Sequence, residues 1–109
     1  MVMRQEKHYG VESYVNAKLI SSDGDDIGNV SRFLLHRVTE LPTWIVVDRG
    51  FLARDLIVPV ADCDFEEDGV VSPFSKARIE AQPEVEIEDD VLSADSETRL
   101  DHHFGLGAA

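Results

Sequence analysis

The chain has 109 residues, 43% hydrophobic and 29% charged, with a formal net charge of −12 and one cysteine, Cys63. A chain of this size buries roughly two-thirds of its unfolded surface in one core, so neither a disulfide nor a metal is needed to hold it. Met1 to Ala61 carries eight acidic and seven basic residues, whereas Asp62 to Ala109 carries fourteen and three. This excess repels phosphate backbones and anionic lipid, which excludes independent nucleic-acid or membrane-surface binding.

In chain order, the opening MVMRQEKHYG has no apolar signal-peptide core, and no run reaches the length of a membrane span. A cytoplasmic protein without membrane insertion is expected, with residues 1–13 as a flexible polar segment. Val15 to Ile20 and the run from Ile27 to His36 flank SSDGDD, whose Asp23-Gly24 supplies the turn of a hairpin. Gly28 marks a bulge or a close backbone approach. Phe33, Leu34 and Leu35 are consecutive, so this strand changes its buried parity part-way, as a curled sheet or small barrel requires.

Trp44-Ile45-Val46-Val47 and Leu56-Ile57-Val58 are β-branched-rich runs joined through Gly50, and read as two buried central strands. Pro59 cannot donate to a ladder and belongs at a strand end or corner. Cys63 and Phe65 alternate with acids, Glu67-Asp68-Gly69 turns the chain, and Val70-Val71-Ser72 ends the sheet at about six strands. The expectation is an all-β fold, a small six-stranded barrel over residues 14–72. Its predicted core is Leu19, Ile27, Val30, Leu34, Ile45, Val47, Leu56, Val58 and Phe65.

Residues 73–109 read as an acidic tail with two short helices packed on the barrel or on a second subunit. Ser75 caps the first helix, which Pro83 ends. PEVEIEDD is an extended segment laid on the barrel. Ser93 caps the second helix, with Asp95 and Glu97 at its positive end, Leu100 and Phe104 on one face, and Gly105 as its stop. That apolar stripe is narrow, which favours a homodimer.

No motif carries recognisable catalytic spacing, so no catalytic residue, metal site or cofactor is assigned. Asp23, Asp25 and Asp26 suggest calcium, but Leu34 stands where an EF-hand needs glutamate, and an acidic turn is the better reading. Asp101-His102-His103 matches a phosphoesterase triplet without the other ligands that motif requires. Cys63, between Asp62 and Asp64, is expected to be inert. Arg49 and Arg54 flank Phe51 and Leu52 on a turn, a composition typical of interaction hot spots, and these four are the candidate partner-binding residues. The alternative is that Phe51 and Leu52 fold under the barrel end. The acidic tail serves solubility or high-salt adaptation, or docks a basic partner. The rival functional class is a small acid–base or metal-dependent enzyme using His36, His102 or His103.

SSDGDDIGNV, WIVVDRGFLARDLIVPVADCDF, SKARIEAQPEV and LSADSETRLDHHFGL, in that order, resemble the successive blocks of a stand-alone PRC-barrel domain. Those blocks are a glycine hairpin, a v-V-d-x-G-f-l turn with its v-P-x-x-a strand, a helix start, and a terminal helix block. The resemblance runs from about Val15 to Gly105 and implies the six-stranded barrel. The same barrel occurs in the cytoplasmic part of the photosynthetic reaction-centre H subunit and the C-terminal domain of the ribosome-maturation factor RimM. The sequence shows neither the membrane helix of the first nor the companion domain of the second, so their activities are not expected here. The resemblance implies a non-enzymatic adaptor for an unidentified protein partner, sometimes homodimeric, with no shared catalytic residues.

Overall fold

The computed structural model describes residues 11–51 and 53–106. Strands β1 (Lys18–Ile20), β2 (Asp26–Leu35), β3 (Pro42–Asp48), β4 (Leu56–Pro59), β5 (Asp64–Glu66) and β6 (Gly69–Val71) form one sheet, in the order β4-β3-β2-β1-β6-β5. Neighbours run antiparallel except β1 and β6, which are parallel. Helix α1 (Lys76–Glu80), the small hairpin of β7 (Ile87–Glu88) and β8 (Val91–Leu92), and helix α2 (Ala94–Phe104) follow. Val11 to Ser13 form a helical turn, where polarity predicts loose chain. Residues 1–10 of that expectation lie outside the described residues.

The six expected strands are present and the sheet curls, but among the described residues no backbone ladder joins its edge strands β4 and β5, so the barrel is not closed by hydrogen bonds. Side chains reach across the curl instead. Phe33 on β2 and Phe65 on β5 stand three strands apart in the sheet order, yet their rings lie 6.5 Å apart, and Tyr14 meets Phe65 edge-on at 5.1 Å. Phe65 is therefore half-buried rather than sealed, while the other eight predicted core residues are buried.

The parity change in β2 comes from one extra residue. Val30 pairs with Val47 and Arg32 with Val46, so Ser31 is a bulge. Val30 and Leu34 consequently face opposite sides of the sheet. Val30, Phe33, Ile45, Val47, Leu56 and Val58 share the concave face, and Arg32, Leu34, Trp44, Val46 and Ile57 the convex one. At Gly28 the backbones close in, since a Cβ would lie 2.6 Å from the Asp48 carbonyl oxygen.

All of Trp44 to Val47 and Leu56 to Pro59 is buried, so both faces of β3 and β4 need cover. The tail supplies the convex cover: Ile79, Leu92, Leu100 and Phe104 join the same core as the strands. Its helices start as the caps predict. Ser75 Oγ accepts from Arg78 N at 3.2 Å and Ser93 Oγ from Ser96 N at 3.1 Å, while Gly105 ends α2 in the left-handed region at φ 73°.

β4 is an edge strand, and a buried polar side chain closes its edge. Gln82 is 4% exposed. Its Oε1 accepts from Ile57 N at 2.8 Å, and its Nε2 donates to the carbonyl oxygens of Ile57 at 2.9 Å and Ile79 at 2.8 Å. The amide thus imitates one residue of a neighbouring strand. Pro59, two residues along, turns its donor-free nitrogen to the same outer side. Gln82→Ala should cost about 1–3 kcal/mol, the penalty for orphaning buried backbone groups. Gln82→Glu should cost at least as much at neutral pH, because a carboxylate cannot donate to two carbonyls. It should recover as pH falls and the carboxyl regains a proton. Thermal melts followed by fluorescence of Trp44, the single tryptophan and only 2% exposed, measure both.

Candidate interaction site

The turn between β3 and β4 is built from its flanks inward. Asp48 Oδ1 accepts from Gly50 N at 2.8 Å, and Gly50 takes φ 94° with open space around it. Phe51 follows at 96% exposure, so it does not fold under the sheet. Leu52 lies outside the described residues.

Both arginines of the turn are engaged with the tail. Arg49 Nη1 lies 3.3 Å from Glu80 Oε2 on α1, and Arg49 Nε donates to the Arg54 carbonyl at 3.4 Å. Arg54 Nη2 donates to the Gln82 carbonyl at 2.9 Å. The guanidiniums act as struts on either side of the exposed ring. This arrangement holds a large aromatic in solvent on a braced turn, the geometry of an anchor residue.

A groove of about 570 Å³ opens beside Arg54 and runs along the segment after Gln82 to the start of α2. Ile57, Val85 and Ile87 give it an apolar side. Neither the groove nor Gln82 is legible as a site in the sequence: PEVEIEDD reads as an extended segment laid on the barrel, which marks no concave wall, and nothing local tells which Gln finds a strand edge.

The three candidate histidines occupy different settings. His36 Nδ1 accepts from Val38 N at 3.0 Å and Thr39 N at 3.3 Å, which places the proton of the neutral ring on Nε2, 4.0 Å from Glu97. His103 Nε2 donates to the Arg78 carbonyl at 2.7 Å, while Arg78 Nη2 donates to the His103 carbonyl at 3.1 Å, a reciprocal clasp of α1 and α2. His102 and His103 share a surface depression with Pro83, Thr98 and Arg99, which brings no carboxylate to them. Among the described residues no three His, Cys, Asp or Glu side chains are grouped to hold a metal.

Asp23 is structural. It accepts from the Ser21 hydroxyl and, at 3.2 Å, from Lys76 N, joining the first hairpin to α1. The Ser21 bond foremost, then the Lys76 amide, hold its carboxyl below the usual range. Asp101 is pushed up by burial and then by Glu97. The Cys63 thiol donates to the Pro59 carbonyl at 3.2 Å, and burial, then Asp64 and Asp62, raise its pKa to about 12. The thiolate needed for alkylation is then scarce at mildly alkaline pH. Iodoacetamide should modify native Cys63 at least about tenfold more slowly than the urea-unfolded chain, as mass spectrometry over time will read.

No helix among the described residues is long and apolar enough to cross a membrane. No curated protein is significantly similar to the chain. The family model for the PRC-barrel domain matches residues 6–79, more than half of the chain, and takes in all six strands of the main sheet. The match and the six curled strands agree with the resemblance of the sequence blocks, and the chain belongs to the PRC-barrel domain family.

Proposed function

We propose that this chain is a non-enzymatic protein-interaction module working in the cytoplasm. It presents the β3–β4 turn to a protein partner and associates with a second copy of itself. The observation that carries this reading is Phe51, at 96% exposure between two arginines braced against the tail. Isolated exposed apolar side chains are ordinary. An aromatic held out on a braced turn differs, because a partner that buries it gains the full apolar area at little further ordering cost. PRC-barrel domains often serve as protein-interaction modules, which supports the same reading.

Phe51→Asp tests it without touching the core. Light scattering should give a dimer mass for the wild type and a monomer mass for Phe51→Asp, with both melting alike, since removing an anchor costs about 2 kcal/mol of association or more. A wild type that stays monomeric at high concentration removes the self-association. Capture of a crosslinked partner by Phe51→Asp as efficiently as by the wild type removes the turn as the contact.

A further inference from the structure

We infer that the groove beside α2 receives an extended peptide segment bearing lysine or arginine, contributed by a protein partner. The inference rests on the binding-module reading and adds the chemistry of what is bound. The groove begins at Arg54 and Asp55, a few residues after Phe51 in the same β3–β4 connection.

Charge selects the occupant. Asp55, Glu84, Glu86 and Asp95 line the groove, and none of them has an ion-pair or hydrogen-bonding side-chain partner among the described residues. Elsewhere the cations of the sheet are matched to carboxylates: Lys18 to Asp26, Arg32 to Asp90, Arg37 to Glu97 and Arg49 to Glu80. Arg54 and Arg99 also line the groove. The first is engaged with the Gln82 carbonyl and the second has no partner among the described residues, which leaves four carboxylates against two arginines in the lining. Unpaired like charges around a concave apolar wall raise the local potential and favour a cationic partner.

Backbone selects its conformation. Between Gln82 and β7 the chain forms neither helix nor ladder, with Glu84 and Glu86 exposed and Val85 and Ile87 half-buried against the core. Among the described residues the backbone N–H and C=O groups of Glu84 and Val85 have no partner within the chain. Main-chain groups left unpaired beside a groove are a template for strand addition, and Glu84 and Val85 offer roughly 7 Å of it. A strand laid there alternates its side chains, with cationic ones toward the carboxylates and apolar ones toward Val85 and Ile87.

The probes are a fluorescein-labelled peptide alternating lysine and valine, and its counterpart with glutamate for lysine, read by anisotropy in dilute buffer. The lysine peptide should bind the wild type and the glutamate peptide should not. Glu84→Lys with Glu86→Lys should weaken binding at least about tenfold. Glu66→Lys with Glu67→Lys, a matched charge change on the exposed β5–β6 hairpin, should weaken it less than about twofold. Equal losses from the two double variants would reduce the attraction to bulk charge and overturn the groove, as would binding of both peptides or of neither. The dimer mass of the same variants separates this inference from its premise. If the groove variants bind the peptide like the wild type while Phe51→Asp is monomeric, the groove fails and the turn stands. If Phe51→Asp remains dimeric and captures partners normally, the turn fails instead.

Discussion

The burial of both faces of β3 and β4 is the constraint on which the rest of this fold depends. Eight consecutive-in-space positions, Trp44 to Val47 and Leu56 to Pro59, leave no wet face, so a single curled sheet cannot satisfy them. The curl covers one side, through Val30, Phe33 and their neighbours across the sheet. The other side must be covered by chain from elsewhere, and the segment after Val71 is the one that reaches it. Each large apolar side chain so buried contributes about 1.5–3 kcal/mol, which is what orders a tail with few apolar residues of its own. The Ser31 bulge is the complementary device, because it lets β2 feed Val30 to one core face and Leu34 to the other.

The uneven charge of the chain acquires a structural meaning in this arrangement. Arg32, Arg37 and Arg49 belong to the nearly neutral half, and their carboxylate partners Asp90, Glu97 and Glu80 belong to the acidic half. Such pairs are worth about 0–1 kcal/mol each when exposed, so they do not drive the docking of the tail. They choose its register on the sheet. The buried amide of Gln82 and the reciprocal Arg78–His103 clasp then lock α1 and α2 in place. Among the described residues, four carboxylates without an ion-pair partner, Asp55, Glu84, Glu86 and Asp95, lie along the groove after the Phe51 turn, against the two arginines Arg54 and Arg99.

This division of labour bears on how an aromatic and a groove become adjacent. The turn is extended into solvent by its own Asp48–Gly50 geometry, but it is steadied by Glu80 and Gln82, residues of the tail. The groove is walled by that same tail. A change that loosened the tail would therefore alter both the turn that carries Phe51 and its neighbouring surface. The proposed interaction surface is built from the sheet and tail together, although the family match stops at residue 79, inside α1.

Much of the fold was legible because its signals are local. Alternation and β-branching mark the strands, Asp23-Gly24 and Gly50 their turns, and Ser75, Ser93 and Gly105 the helix ends, each acting through bonds spanning a few residues. The parity change in β2 was readable too, since three consecutive apolar residues admit no simple alternation. What the residues alone left open depends on groups distant in the chain. Whether β4 and β5 meet is set by how far the sheet curls, and the aromatic contacts among Tyr14, Phe33 and Phe65 take the place of a closing ladder. Arg49 and Arg54 look like free contact residues until the tail brings Glu80 and the Gln82 carbonyl to them. Gln82 is an ordinary polar residue in sequence and a strand-edge cap in three dimensions, because only the folded chain presents the Ile57 amide and carbonyl side by side at the spacing of its own.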